Sequence, residues 1–248
     1  MDMDIGSLVS PTRLALAITC VVFAFACMRA LRGRDADEHA SHRPALRPLV
    51  FWLVALGLPA LALSIVPFSA VTLLLLPIGV FLGLFAMILG LFHAPTRRAF
   101  DALDDGQIRT LLSYRAIFGA FLFAGAALEL FPPVFALTAG LGDLLGAWLA
   151  HVAPGSLGRG GSRGWRLLVH GVGLLDLIEV VVMAMTVVRP WLAEHGSVGP
   201  PMILPWIGVP LMLALNLHGL RRAIADGAAR QASDDAGVDR VATGAARA

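Results

Sequence analysis

Lysine is absent. All 19 cationic side chains are arginine, which fits a GC-rich genome and removes lysine Schiff-base chemistry, retinal attachment included. Cysteine is scarce. Cys20 and Cys27 are the only two, and seven helical residues hold them about 10 Å apart, too far for a mutual disulfide. Lipoprotein cleavage before Cys27 is not expected, because the preceding stretch begins MDMDIGSLVSPTR, acidic where such signals are basic. Charge of either sign is rare, at 15% against 58% hydrophobic residues, and mean hydropathy is +0.79. That balance excludes a soluble domain and predicts an integral membrane protein. A net charge of +2 with no basic patch gives no footprint for nucleic acid. No GxSxG, P-loop or dinucleotide fingerprint stands in a suitable context.

Long apolar runs are what the chain has in quantity. Windows of about 20 residues, the length that crosses a bilayer, fall at 13–31, 48–66, 69–93, 108–130, 133–152, 166–188 and 203–222. The expected fold is all-α: seven transmembrane helices over 13–222, a short external segment at 1–12, and a solvated, partly disordered cytoplasmic tail over 223–248. Pro67, Pro132 and Pro133 break two tight hairpins, which fixes the alternation of direction. Sixteen arginines then fall on one side, in the loops after the first, third and fifth spans and in the tail, against Arg13 and Arg189 on the other. Basic residues stay on the cytoplasmic side, so the N-terminus is expected outside. No loop is long enough to hold a separate domain, and His39 and His42 are expected on a solvated loop.

The third and seventh spans share a likeness, LLLLPIGVFLG against MILPWIGVPLM, and each ends in a histidine with paired arginines after it. A three-plus-one-plus-three repeat is geometrically allowed and would resemble the layout of the SWEET sugar transporters, whose PQ signature is missing here.

Polar groups inside the spans are the candidates for function. Asp143 stands in AGLGDLLGAWLA, Asp176 and Glu179 in GLLDLIE, and Arg115 opens the fourth span. At about 1.5 Å per residue, Asp143 and Asp176 both lie about 15 Å deep and Arg115 about 10 Å. An ionised group facing lipid there costs at least about 3 kcal/mol, so all four are expected to face the bundle interior or a cavity. Gly142 with Gly146, Ala139 with Ala147, and Ala120 with Ala124 have the spacing for close helix contact, which would bring Arg115 towards Asp143. Two readings stay open. Arg115, Asp143 and Asp176 form a buried ion pair plus a protonated acid that keeps the helices in register. Alternatively, because one arginine cannot neutralise three carboxylates, a protonatable acid couples transport to protons or acts as a general acid.

Pro205 and Pro210 around Gly208 predict a bent or unwound start to the seventh span. Glu129 is expected as a solvated cap, and Trp148, Trp165, Trp191 and Trp206 as interfacial anchors. His93, His151, His170 and His218 cluster towards the cytoplasmic ends without a ligand spacing such as HxxxH, so no metal or cofactor is expected.

RAIFGAFLFAG, LTAGLGDLLG, GVGLLDL and ILPWIGVPLMLALNLHGLRR resemble stretches of a broad group of uncharacterised bacterial polytopic proteins, over about residues 108–222. The resemblance implies a multi-span helical fold and no activity. A likeness to the fungal membrane terpene cyclases extends to span number alone.

The expected function is a small-solute transporter or permease of the bacterial inner membrane with a protonatable midplane site. Asp143, Asp176 and Glu179 are its candidate acids, and Arg115, Asn216 and His218 its candidate substrate contacts. The alternatives are an enzyme acting by acid catalysis on an isoprenoid or other lipid, and a non-catalytic membrane subunit. The bilayer and a small or lipophilic molecule are the expected partners.

Overall fold

The computed structural model of the chain describes residues 70–157, 161–195 and 208–245, with isolated positions at 51, 54, 55 and 58. No strand occurs among the described residues. The helices are α1 (Ala70–Phe92), α2 (Ala94–Asp101), α3 (Asp105–Ser113), α4 (Arg115–Ala127), α5 (Pro133–Val152), α6 (Arg163–Met183), α7 (Arg189–His195) and α8 (Val209–Ala245). A π-helical turn, Ala184–Val188, joins α6 to α7. Among the described residues, three continuous helical stretches are long and apolar enough to cross a membrane: Asp105–Ala127, Pro133–Val152 and Arg163–His195. The first two expected spans, both cysteines, His39, His42 and Trp206 lie outside the described residues.

Local chemistry sets the helix ends. Asp104 accepts the Gln107 backbone N–H at 2.7 Å while Gln107 Oε1 accepts that of Asp104 at 3.0 Å, a reciprocal cap that starts α3. Pro133 opens α5, where a missing N–H costs nothing. Pro210 sits likewise in the first turn of α8. After α4 the chain turns through Glu129, which holds φ at +56°. The Leu130 N–H then bonds Gly125 O at 2.8 Å and the Glu129 N–H bonds Ala126 O at 3.0 Å. That is the Schellman closure, here without its usual glycine.

Several boundaries differ from the sequence reading. Arg97 and Arg98, placed there in a loop, lie in α2. Helix resumes at Asp105 and is interrupted only by a turn at Tyr114. The sixth span starts at Arg163 and continues through the π turn to His195. Beyond Arg222, where the sequence suggested a disordered tail, α8 runs on to Ala245; no proline interrupts that stretch.

Packing is inverted relative to a water-soluble helix bundle. On α5 the buried residues are Phe135, Ala136, Ala139, Gly140, Asp143, Gly146, Ala147, Leu149 and Ala150, mostly small residues at helical spacing around one acid. Leu137, Leu141, Leu145 and Trp148 point outward on the opposite side. Small faces let backbones approach, and large apolar faces suit a hydrocarbon surround. Helix α5 packs against α4 and α6, α6 against α8, and α8 against α1. At Gly119 of α4 an added Cβ would meet Gly140 O of α5 at 2.7 Å. Ala120 and Ala124, expected in this contact, are exposed; Gly119 and Gly125 take the buried face, because Arg115 is turned inward and sets the phase of α4. Two apolar clusters form, one around Phe100, Leu111, Ala150 and Leu215 and one around Leu122, Phe135, Ala139 and Val188. Asp143 lies between their α5 members.

Candidate functional site

Three helices each bring one charged side chain to this level. Arg115 is the first residue of α4, Asp143 is mid-helix on α5, and Asp176 lies on α6. Their relative exposures are 1%, 5% and 9%, so the group is withdrawn from the surroundings. Arg115 Nε donates to Asp143 Oδ1 at 3.0 Å, Nη2 donates to Asp176 Oδ2, and Nη1 reaches Gly173 O at 3.4 Å. The planar guanidinium fork thus ties α4, α5 and α6 together with donors on separate edges. Asp143 and Asp176 are the predicted partners of Arg115, and both are brought to it.

Missing side chains make the room. A Cβ at Gly146 would lie 2.7 Å from Arg115 Nη1, and one at Gly173 would lie 3.0 Å from the same atom. A Cβ at Gly142 would overlap the Asp176 carboxylate. The sequence pointed to Gly142 and Gly146 as helix-contact residues; what they accommodate is the charged heads.

Behind the triad lies a cavity of about 100 Å³. Its wall carries Phe118 and Phe121 from α4, Phe131, Phe135 on α5, and Val181 on α6, and among the described residues Asp143 is the one charged residue lining it. Asp143 Oδ1 faces Arg115, while its second oxygen accepts no hydrogen bond from the described residues. The wall also includes irregular backbone. Ala184, Met185 and Val188 of the π turn line it, as do Gly208, itself in π geometry, and Val209 at the start of α8. Such turns are concentrated at functional positions in helices.

The remaining candidates lie off the cavity wall. Glu179 is exposed and joins neither the triad nor the cavity wall, contrary to the expectation of an inward carboxylate. Three residues past Asp176 rotate it about 60° away from the buried direction. Asn216, the only asparagine in the sequence, is fully buried next to the triad: a Cβ at Gly173 would lie 2.8 Å from its Oδ1 and 3.0 Å from Arg115 Nη1. Its Nδ2 donates to Met212 O at 2.9 Å, and its Oδ1 accepts from His170 Nδ1 at 3.2 Å. His218 is buried near Asp101, with Nε2 3.2 Å from Oδ1, and Arg222 Nε stands 4.0 Å from the same oxygen. Neither Asn216 nor His218 reaches the cavity.

A clamp at the arginine-rich end was not anticipated. Arg109 Nη1 donates to Ala150 O at 2.9 Å, its Nη2 to Gly155 O, and its Nε to Asp105 at 2.9 Å. Asp105 also accepts from Ser156 Oγ at 3.2 Å and from the Leu157 N–H. Carbonyls left over at the C-terminus of α5 are satisfied this way. Nearby, Arg166 Nη1 donates to Asp226 at 2.6 Å, tying α6 to α8 beyond Arg222. Arg109 and Arg166 were legible only as positive charges that set orientation.

No curated protein and no solved structure matches the chain. The family model described as Domain of unknown function (DUF8737) matches residues 70–224, from the start of α1 through the triad and cavity into α8, and the chain belongs to that family.

Proposed function

We propose that the chain is a small-solute permease of the bacterial inner membrane, built from seven spans with the N-terminus outside, and that Asp143 is the protonatable group at its central site. The observation that carries this reading is the position of Asp143. Among the described residues it is the one charged residue on an apolar cavity, ten residues and so about 15 Å into α5. One oxygen is fixed by Arg115 and the other is left for a proton or a solute. The cavity wall also includes a π turn and the broken start of α8, places where a helix can flex without losing its whole hydrogen-bond ladder. The orientation is supported by Arg97, Arg98, Arg109, Arg163, Arg166, Arg221 and Arg222, which gather at one end of the bundle while Arg189 is at the other.

The test is solute uptake into proteoliposomes with and without an imposed pH gradient, over a broad panel, for the wild type and Asp143→Asn. Flux that responds to the gradient and vanishes in the variant is expected. If no solute moves in an Asp143-dependent way, the permease reading fails. The apolar wall of the cavity also favours a second reading, acid catalysis on a lipophilic substrate with Asp143 as the proton donor. That reading requires a new or missing species in lipid extracts of expressing cells, and identical extracts would rule it out.

A further inference from the structure

The geometry points to a small lipophilic monocation as the solute, bound at Asp143 in exchange for a proton. This inference rests on the permease reading and names its substrate class. Charge count supplies the first step. Two carboxylates share one guanidinium, so the fully ionised triad carries one negative charge in excess, buried where uncompensated charge is costly. The groups facing Asp143 are Arg115 of α4 and Asp176 of α6; Glu179 stands exposed one turn beyond, and neither α1 nor α8 places a charged residue on the cavity wall. Neutrality therefore needs one positive charge. Arg115 leaves one oxygen open on each acid, Asp143 Oδ2 and the buried Asp176 Oδ1. Of the two acids Asp143 is the one on the cavity wall, where a solute can deliver that charge.

A proton on Asp143 satisfies that need, and so does a monocation in the cavity. Both at once would leave the site positive, so each excludes the other, which is the condition for exchange. When the cation enters, the Asp143 carboxyl loses its proton to bulk water on the side facing it, and the carboxylate pairs with the cation. On the opposite side the steps reverse.

The wall describes the rest of the solute. Phe118, Phe121, Phe131 and Phe135 line the cavity; the rings of Phe121 and Phe131 are 5.9 Å apart and those of Phe131 and Phe135 are 6.2 Å apart, both near edge-on. Aromatic faces attract alkylammonium groups, whose weak hydration makes them easy to bring out of water. Neutral hydrogen-bonding solutes such as sugars find no partners on such a wall. A volume of about 100 Å³, set against the roughly 150 Å³ that accepts benzene, admits about four or five heavy atoms.

Tetramethylammonium is the probe, because it fits and cannot itself carry a proton across. The full-length chain is reconstituted into liposomes holding a fluorescent pH indicator, and tetramethylammonium chloride is added outside with no starting pH gradient. The lumen should become alkaline as protons leave against the entering cation. Asp143→Asn should lower the rate about tenfold or more, the loss expected for one close charge pair. Val181→Phe, which fills the cavity while leaving the triad intact, should do the same and keeps the test valid if Asp143→Asn folds poorly. In unbuffered detergent solution the wild type should release up to about one proton per chain on adding the cation. If neutral solutes are carried but tetramethylammonium neither moves protons nor releases them, the cation inference is overturned and the permease reading stands. If the cation releases a proton in detergent yet no solute crosses the liposome, the site is as inferred and transport is wrong. Absence of both overturns both.

Discussion

Arg115 is a cation shared by two acids, so the three members of the triad are not equivalent to remove. Arg115→Gln leaves two carboxylates buried beside each other with no counter-charge, and is expected to cost about 3 to 5 kcal/mol. Asp143→Asn or Asp176→Asn each leaves one carboxylate with one guanidinium, a neutral pair, and is expected to cost about 1 to 3 kcal/mol. Thermal midpoints in detergent check this ordering; equal losses for all three would contradict the charge count. Gly142→Ala tests the same geometry without touching a charge. Its methyl overlaps the Asp176 carboxylate, so Asp176 must leave Arg115 and the midpoint should fall about as far as in Asp176→Asn. Charged members of the site were legible because Arg115, Asp143 and Asp176 interrupt runs that are otherwise apolar. The cradle was only half legible. Gly142, Gly146 and Gly173 look alike as small residues, and which head each one admits depends on how three helices cross, a long-range fact that spacing within one helix does not contain. Glu179 shows the opposite failure, where a helical spacing of three stretched an inward face too far.

At the scale of elements, apolar length fixed most of the helices in place, and the misses sit where termination is weak. No proline or glycine marks the turn at Tyr114, and nothing in the sequence marks the end of α6 at Met183, so the π turn was invisible. The phase of α4 was readable all the same. Taking Arg115 as inward selects 118, 119, 122 and 125, which are the buried positions. The turn after α4 carries its own prediction. Glu129 holds a left-handed backbone with a side chain that opposes it, so Glu129→Gly should stabilise the protein by about 0.5 to 1 kcal/mol, after subtracting the greater freedom of glycine in the unfolded chain. A rise in thermal midpoint with uptake unchanged is the expected result, and a fall would mean that Glu129 contributes more than a turn.

For the whole molecule, the gathering of arginines at one end makes the proposed orientation testable. Single cysteines at Gly155 and at Glu129, in a background lacking Cys20 and Cys27, should react with a membrane-impermeant maleimide from opposite sides. Labelling is expected from outside intact cells at 129 only, and at 155 only after the membrane is opened. Labelling of both from outside would break the proposed topology. The inverted packing of α5 carries a consequence for how this family can vary. In a water-soluble protein, drift accumulates on the polar exterior and the bulky interior resists it. On α5 most inward positions other than Phe135 and Leu149 are alanine or glycine, so substitution at those small residues adds volume with nowhere to go, whereas leucine, isoleucine, valine and phenylalanine can replace one another outward. Divergent members should therefore keep their smallest residues and exchange their largest ones, and the rhythm of retained alanine and glycine around the acid would identify the helix after its leucines have changed.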